Sequence, residues 1–123
     1  MIGELHKAAV VVDSVAEAER FYTGMLGLAV TERIPSGTAA DDEDYVMLGA
    51  GSTTLELMPR KAMGVAPGFH HLSFRVDDVD AAAAALREQG VTLEKEPFDA
   101  AGNLRLAFFR GPGGVLLQLF QRR

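Results

Sequence analysis

The chain contains two similar halves in the same order, and this internal duplication constrains its fold more than any other feature. The segment HKAAVVVDSVAEAERF at 6–21 aligns with HLSFRVDDVDAAAAAL at 71–86, an offset of 65 residues (71 − 6). The segment VMLGAGSTTLEL at 46–57 aligns with FFRGPGGVLLQL at 108–119, an offset of 62 residues (108 − 46). Two matched blocks in one order predict two tandem copies of a structural unit.

Each copy has the hydrophobic pattern of one strand, one helix and three further strands. The first helix begins with Ser14-x-x-Glu17, a capping box whose side chains satisfy unpaired backbone N–H groups. A tight turn at Ala50-Gly51 joins the last two strands of the first copy. We therefore predict strands at 4–12, 28–34, 44–49 and 52–58 with a helix at 15–25, and strands at 70–76, 91–95, 104–110 and 114–120 with a helix at 79–89.

This order of elements predicts an α+β fold made of two tandem βαβββ modules. Module one covers 1–58, a linker covers 59–69 and module two covers 70–123, within a single domain of 123 residues. A chain of this length can bury its own hydrophobic core. The polar segment PSGTAADDED at 35–44 is the expected mobile loop.

Composition excludes several classes of function. The chain has 17 acidic and 12 basic residues, a formal charge of −5, and lacks the basic face that nucleic-acid binders need. Its apolar runs are too short to cross a bilayer. It has no cysteine, which excludes disulfides and thiolate zinc sites. The start of the chain does not resemble a secretory signal, and we expect a cytoplasmic protein whose partner is a small molecule.

Alternation along the first strand of each module assigns two histidines to one face. In module two, apolar residues such as Leu72 point toward the helix, so His71 and Arg75 point to the opposite, concave side. The 65-residue offset places His6 on the same side as His71. The neighbouring His70 is then a strand-end residue of the helix side.

The last two strands of each module add further side chains to this concave face. Glu56 lies there in module one, and Gln118 lies at the matching position of module two. Both stand in otherwise apolar strands. The residues that we expect to line the face as a substrate-binding surface are Tyr45, Met47, Met58, Arg75, Arg105, Phe109 and Phe120.

A carboxylate in such a strand needs a partner, because burying a lone charge is costly. The simplest interpretations are that Glu56 faces water or that it pairs with Arg75 or Arg105. Together with two imidazoles and an amide oxygen, it also makes a suitable ligand set for a divalent ion. We therefore predict a metal site formed by His6, Glu56, His71 and Gln118.

Three motifs are similar to those of the vicinal oxygen chelate superfamily, which includes glyoxalase I, methylmalonyl-CoA epimerase, extradiol dioxygenases, fosfomycin-resistance enzymes and bleomycin-binding proteins. They are LHKAAVVVD with ERFYTGMLGL, GFHHLSFRVDDVDAAAAAL, and GPGGVLLQLF, and they span nearly the whole chain. The resemblance implies a glyoxalase-like fold, a curved mixed sheet around a central cavity. It also implies one divalent ion (Ni, Co, Zn, Mn or Fe) held by the first and fourth strands of each module, which carry His6, Glu56, His71 and Gln118.

The resemblance further implies a reaction in which a substrate with two vicinal oxygens loses a proton to Glu56 and forms an enediolate. Gln118 departs from the glutamate usual in glyoxalase I, the dioxygenases and the fosfomycin enzymes. The order His, Glu, His, Gln here is related by the pseudo-two-fold of the duplication to the order His, Gln, His, Glu of methylmalonyl-CoA epimerase. Glu56 is then the single carboxylate base, and either Tyr45 or Glu43 would be its partner in proton transfer.

The main prediction is a divalent-metal-dependent isomerase, lyase or epimerase. An Fe(II)-dependent dioxygenase, with His6, His71 and Glu56 as its facial triad, is an alternative. A non-catalytic resistance protein that binds an antibiotic or another hydrophobic ligand is a second alternative. We expect a homodimer, and the four predicted ligands could meet within one chain or across two.

Overall fold

The computed structural model describes residues 3–123. Contacts divide the chain into two units: the first unit is Lys7–His70, and the second unit is His71–Arg123 together with the chain up to His6. In chain order the elements are β1 (Glu4–Val12), α1 (Val15–Arg20), β2 (Ala29–Ile34), β3 (Tyr45–Ala50), β4 (Thr53–Pro59), α2 (Arg60–Met63), β5 (Gly68–Arg75), α3 (Val79–Glu88), β6 (Leu93–Ala100), β7 (Leu104–Arg110) and β8 (Leu116–Arg122).

In the first unit the strands follow the order β2-β3-β4-β1. The β2–β3 and β3–β4 pairs are antiparallel, and β1 lies parallel to β4. Helix α1 covers one face of this sheet, because its apolar side packs on a buried cluster of Val15, Val46, Leu48 and Leu57. The helix continues as a π-helical turn at Phe21–Met25.

The second unit repeats the arrangement with the order β5-β8-β7-β6. Here β5 lies parallel to β8, and the two other pairs are antiparallel. Helix α3 packs on a core that includes Val79, Ala83, Ala107 and Leu119. The predicted α+β class and the duplicated βαβββ pattern are therefore confirmed. Helix α2 lies within the segment 59–69 that was predicted as the linker.

The helix N-caps show which residues of the two units correspond to each other. Ser14 caps α1 and Asp78 caps α3. Each side chain accepts a hydrogen bond of 3.1 Å from the backbone N–H three residues later, that of Glu17 or Ala81. The structural offset between the units is therefore 64 residues (78 − 14).

The register of the parallel strands gives the same offset. Ala9 of β1 is paired with Glu56 of β4, and Ser73 of β5 is paired with Gln118 of β8. Since Glu56 and Gln118 match each other, Ala9 matches Ser73, and the offset is again 64 (73 − 9).

The predicted offset of 65 residues is therefore wrong by one. A slip of one residue in a strand moves every side chain to the other face. The residue of the first unit that is equivalent to His71 is Lys7, and His6 is equivalent to His70.

The second hairpin is also one residue longer than the first. Met47 pairs with Glu56 nine positions later (56 − 47), whereas Phe108 pairs with Gln118 ten positions later (118 − 108). A short 3₁₀ turn at Pro112–Gly114 takes up the additional residue. The equivalent of Met47 is therefore Phe108 rather than Phe109.

This longer hairpin corrects the face predicted for two residues of β7. Phe109 is buried in the core beneath α3, and Arg105 reaches α3, where it binds Asp80. Neither residue shares a face with Gln118.

No helix of residues 3–123 is long and apolar enough to span a membrane.

Candidate functional site

The first unit holds a buried ion pair between its two parallel strands, β1 and β4. The Nζ atom of Lys7 lies 2.8 Å from Oε1 of Glu56, and the two side chains are 12% and 9% exposed. Lys7 precedes Ala9 by two positions on β1, so it shares the face on which Ala9 and Glu56 are neighbours. Glu56 is thus paired with Lys7, which was not among the partners considered from the sequence.

The surroundings of this pair are apolar. Met47 lies directly opposite Glu56 on β3. A second buried cluster on the same sheet contains Ala9, Val11 and Met58, with Tyr45 and Met63 packed against it. Tyr45, Met47 and Met58 thus lie on the face of this sheet that carries Glu56, with Met47 and not Tyr45 directly opposite it.

Tyr45 is the titratable group most affected by this environment. Its burial, and to a smaller extent the negative charge of Glu56, raise the pKa of the phenol above its ordinary value. Its hydroxyl donates a long hydrogen bond of 3.7 Å to the sulfur of Met63. The phenol therefore stays protonated at neutral pH and can act as a proton donor.

Glu43 has a different role. Its two carboxylate oxygens accept hydrogen bonds from the backbone N–H groups of Val15 and Ala16, at 2.8 and 3.0 Å. These are free donors at the start of α1, and the negative charge also suits that end of the helix. Of the two acids predicted to accompany Glu56, Glu43 is held as a helix cap and Tyr45 is not.

The second unit holds a buried polar group on the matching strands. The hydroxyl of Ser73 donates to Oε1 of Gln118 at 2.6 Å, and both side chains are buried. His71 precedes Ser73 by two positions and is 3% exposed. Its ring meets that of Phe108 edge-on, with the centroids 6.0 Å apart. An imidazole and an amide thus share one face of this unit.

The remaining predicted residues of the second unit are His6, Arg75, Arg105 and Phe120, and Phe120 and Arg75 are paired on the face that carries Gln118 and Ser73. The ring of His6 packs against that of Phe120, with centroids 4.7 Å apart. Arg75 is exposed at the end of β5. Arg105 is bound by the carboxylates of Asp80 and Asp99, and these hydrogen bonds raise the pKa of its guanidinium. The guanidinium of Arg105 is therefore held by ion pairs with α3 and β6.

Lys7 and Phe108 were missed by sequence reasoning. The signal that would have found Lys7 is the alignment of the two helix caps, Ser14 with Asp78, in place of Asp13 with Asp78. Serine and aspartate are both preferred N-cap residues. The alignment used in the sequence analysis instead matched Asp13 with Asp78 because both are aspartate.

The donors available for a divalent ion do not fit the predicted four-ligand centre. The second unit offers the imidazole of His71 and the amide of Gln118. In the first unit the position equivalent to His71 is Lys7, whose ammonium is a cation and already binds the carboxylate of Glu56. Within residues 3–123, no three His, Cys, Asp or Glu side chains are grouped so that they could hold a metal ion.

Comparisons with known proteins agree with this fold. The family model of the Glyoxalase/Bleomycin resistance protein/Dioxygenase superfamily matches residues 4–119. The uncharacterized protein YaeR of Escherichia coli K12 is 29% identical over 97% of this chain and 96% of its own length. Mitochondrial methylmalonyl-CoA epimerase of Bos taurus is 27% identical over 98% of this chain and 75% of its own length.

A solved structure gives the same result for the fold. Methylmalonyl-CoA epimerase from Mycobacterium tuberculosis superposes with a TM-score of 0.76 at 24% identity, over 99% of this chain and 89% of that chain. The chain belongs to the glyoxalase/bleomycin resistance protein/dioxygenase superfamily.

Proposed function

We propose that this protein is an isomerase or epimerase that moves a proton at the carbon next to a carbonyl group. Its substrate would be a small molecule with two vicinal oxygens, and Glu56 would be the base. The observation that carries the proposal is the buried carboxylate of Glu56 in an apolar setting, close to the protonated phenol of Tyr45. Relatives named methylmalonyl-CoA epimerase support this class of reaction.

Glu56 would remove the proton from the substrate carbon. The electron pair of the broken C–H bond moves onto the carbonyl oxygen and gives an enolate. Because Met47 lies directly opposite and Met58 lies two positions along the strand, the carboxylate acts with little competing water.

Tyr45 would return a proton to the same carbon from the opposite face. Its raised pKa keeps the phenol protonated until a strong base such as the carbanionic carbon is present. The phenolate then recovers its proton from solvent, and Glu56 releases the proton that it took. Atoms and charges balance over the cycle, and the product differs from the substrate in configuration at that carbon.

The divalent ion predicted from the sequence is not part of this proposal, because Lys7 occupies a position that the ion would need and binds Glu56 itself. The chemistry that such an ion supplies is polarisation of the substrate oxygens. The residues described above supply the base and the acid without it.

Proton exchange is the direct test. The purified protein is incubated in D₂O with methylmalonyl-CoA and, separately, with the hemithioacetal of glutathione and methylglyoxal, and deuterium at the acidic carbon is followed by mass spectrometry. We expect exchange with one of them, and a loss of about 100-fold or more in Glu56→Gln, as for removal of a general base. The matched control is Glu88→Gln, at an exposed position on α3. Full activity in Glu56→Gln would refute the role of Glu56.

We also propose a homodimer in the cytoplasm. The exposed apolar side chains of Phe21, Met25 and Leu26, at the end of the α1 segment, support self-association. Sedimentation equilibrium tests the homodimer directly, and a monomer at all protein concentrations would contradict it.

A further inference from the structure

We propose that Lys7 is a catalytic residue whose ammonium stabilises the enolate oxygen of the substrate, in the role that a divalent ion would otherwise fill. The inference rests on the proposed function, in which Glu56 forms that enolate. It concerns a residue that composition and motif spacing did not point to.

The first observation is the position of Lys7. Two independent features of the fold, the helix N-caps and the register of the parallel strands, make it the equivalent of His71. The two units therefore carry different side chains at one structural position. One is an imidazole, which can bind a metal ion, and the other is an ammonium group, which repels one.

The second observation is the burial of the ion pair. Lys7 and Glu56 are both largely removed from water, although lysine and glutamate are among the side chains that are least often buried. Apolar residues in place of a buried ion pair are often neutral or favourable for stability. Stability alone therefore does not explain why the two charges are held here, among methionines and small apolar side chains.

The third observation is the geometry of the contact, which would allow the pair to exchange partners. Lys7 offers three N–H donors on a flexible stem, and its contact with Glu56 at 2.8 Å uses one of the carboxylate oxygens. When a substrate carbonyl oxygen approaches, the ammonium can bind it and release Glu56 as the base. As the C–H proton moves to Glu56, the electron pair moves to the carbonyl oxygen beside the ammonium. Lys7 keeps all of its protons throughout.

The test compares two substitutions of Lys7 with a surface control. Lys7→Gln can still donate a hydrogen bond to Glu56 but has no charge, and Lys7→Arg keeps the charge. Lys61→Gln is the control, because Lys61 is exposed and pairs with Asp41 and Asp42. Circular dichroism of each variant establishes that it is folded.

The first readout is binding of oxalate, a planar dianion with vicinal oxygens that resembles an enediolate, measured by calorimetry on protein dialysed against EDTA. We expect wild type to bind oxalate, and Lys7→Gln to weaken binding by about tenfold or more, as for loss of a charged hydrogen-bond donor. Lys7→Arg should retain more affinity than Lys7→Gln, and Lys61→Gln should bind as wild type does.

The second readout is the deuterium exchange described above, with and without EDTA. We expect wild-type exchange to survive EDTA, and kcat to fall by about 100-fold in Lys7→Gln, the loss typical of one enolate-stabilising donor. Loss of both readouts in EDTA with recovery on adding Zn²⁺ or Co²⁺ would overturn the inference, as would unchanged oxalate affinity in Lys7→Gln.

The two readouts separate this inference from the proposed function. If wild type exchanges no substrate proton but binds oxalate through Lys7, the isomerase proposal fails and Lys7 stands as an anion-binding residue. If exchange requires Glu56 but neither readout changes in Lys7→Gln, the proposed function stands and the role of Lys7 is refuted.

Discussion

Ser14 and Asp78 occupy the same place in the two units: each side chain accepts a hydrogen bond of 3.1 Å from the backbone N–H three residues further on. Counting back seven positions from each cap (14 − 7 and 78 − 7) gives Lys7 and His71. The duplicated strands have therefore diverged at this position. One copy presents a cation beside Glu56, and the other presents an imidazole.

The hydrogen bond between Ser73 and Gln118 should contribute measurably to stability. The hydroxyl oxygen of Ser73 lies 2.6 Å from Oε1 of Gln118, and both side chains are buried. Removal of the hydroxyl therefore leaves the amide oxygen without this donor. We expect Ser73→Ala to lower the free energy of unfolding by about 1–3 kcal/mol, the typical cost of an unsatisfied buried polar group. Urea denaturation checks this, with Ser52→Ala in the exposed β3–β4 turn as the control. Equal losses in both variants would contradict it.

Arg105 should be dispensable for substrate binding. Its guanidinium is held by Asp80 on α3 and Asp99 on β6, on the helix side of the sheet. We therefore expect Arg105→Met to leave KM for an anionic substrate unchanged. Steady-state kinetics over a range of salt concentrations checks this, because a lost contact with the substrate would raise KM most at low salt. Such an increase would restore the role predicted from the sequence.

Much of the fold was predictable because it depends on local patterns. The alternation of apolar residues predicted the eight strands, although β6 runs to Ala100 and does not end at 95. The capping box predicted the start of α1, and the duplication predicted the repeated order of elements. The placement of Glu56 on the face opposite Leu55 and Leu57, which pack beneath α1, also followed from alternation within β4.

The positions of His6, Arg105 and Phe109 were not predictable in the same way. The face of the sheet on which each of them lies was assigned from the equivalent residue of the other module. This assignment fails when the lengths of the two modules differ by one residue, because neighbouring strand residues point to opposite faces. Aligning Asp13 with Asp78 because they are identical shifted β1 by one residue against β5. The longer hairpin around Pro112–Gly114 shifted β3 by one residue against β7. Only the pairing of Phe108 with Gln118 in the folded chain reveals the second shift.

The pH dependence of activity should identify Tyr45 as the proton donor. Burial, and then the charge of Glu56, raise the pKa of this phenol above its ordinary value of about 10. Activity that needs the protonated phenol should therefore persist through pH 10 and fall only above it. We expect Tyr45→Phe to lose that alkaline decline together with most of the epimerase activity, whereas Tyr22→Phe keeps both. A pH profile of kcat/KM for the three proteins is the measurement.

The same shift in the pKa of Tyr45 affects stability. A phenol whose pKa is raised by folding contributes stability that is fully present below the pKa of the unfolded chain, about 10, and is lost as pH rises through the higher pKa of the folded state. The unfolding free energy of wild type should therefore fall more steeply above pH 10 than that of Tyr45→Phe. Parallel curves for the two proteins would contradict this.

Lys7→His should change the preference of the protein for metal ions. The substitution removes the positive charge beside Glu56 and gives the first unit the side chain that the second unit carries in His71. An imidazole and a carboxylate are ligands for Co²⁺ and Zn²⁺, whereas an ammonium and a carboxylate already neutralise each other. We expect Co²⁺ to give visible d–d absorption with Lys7→His and little with wild type or with Lys61→His as the control. Equal Co²⁺ binding by wild type would show that Lys7 does not keep a metal ion away from Glu56.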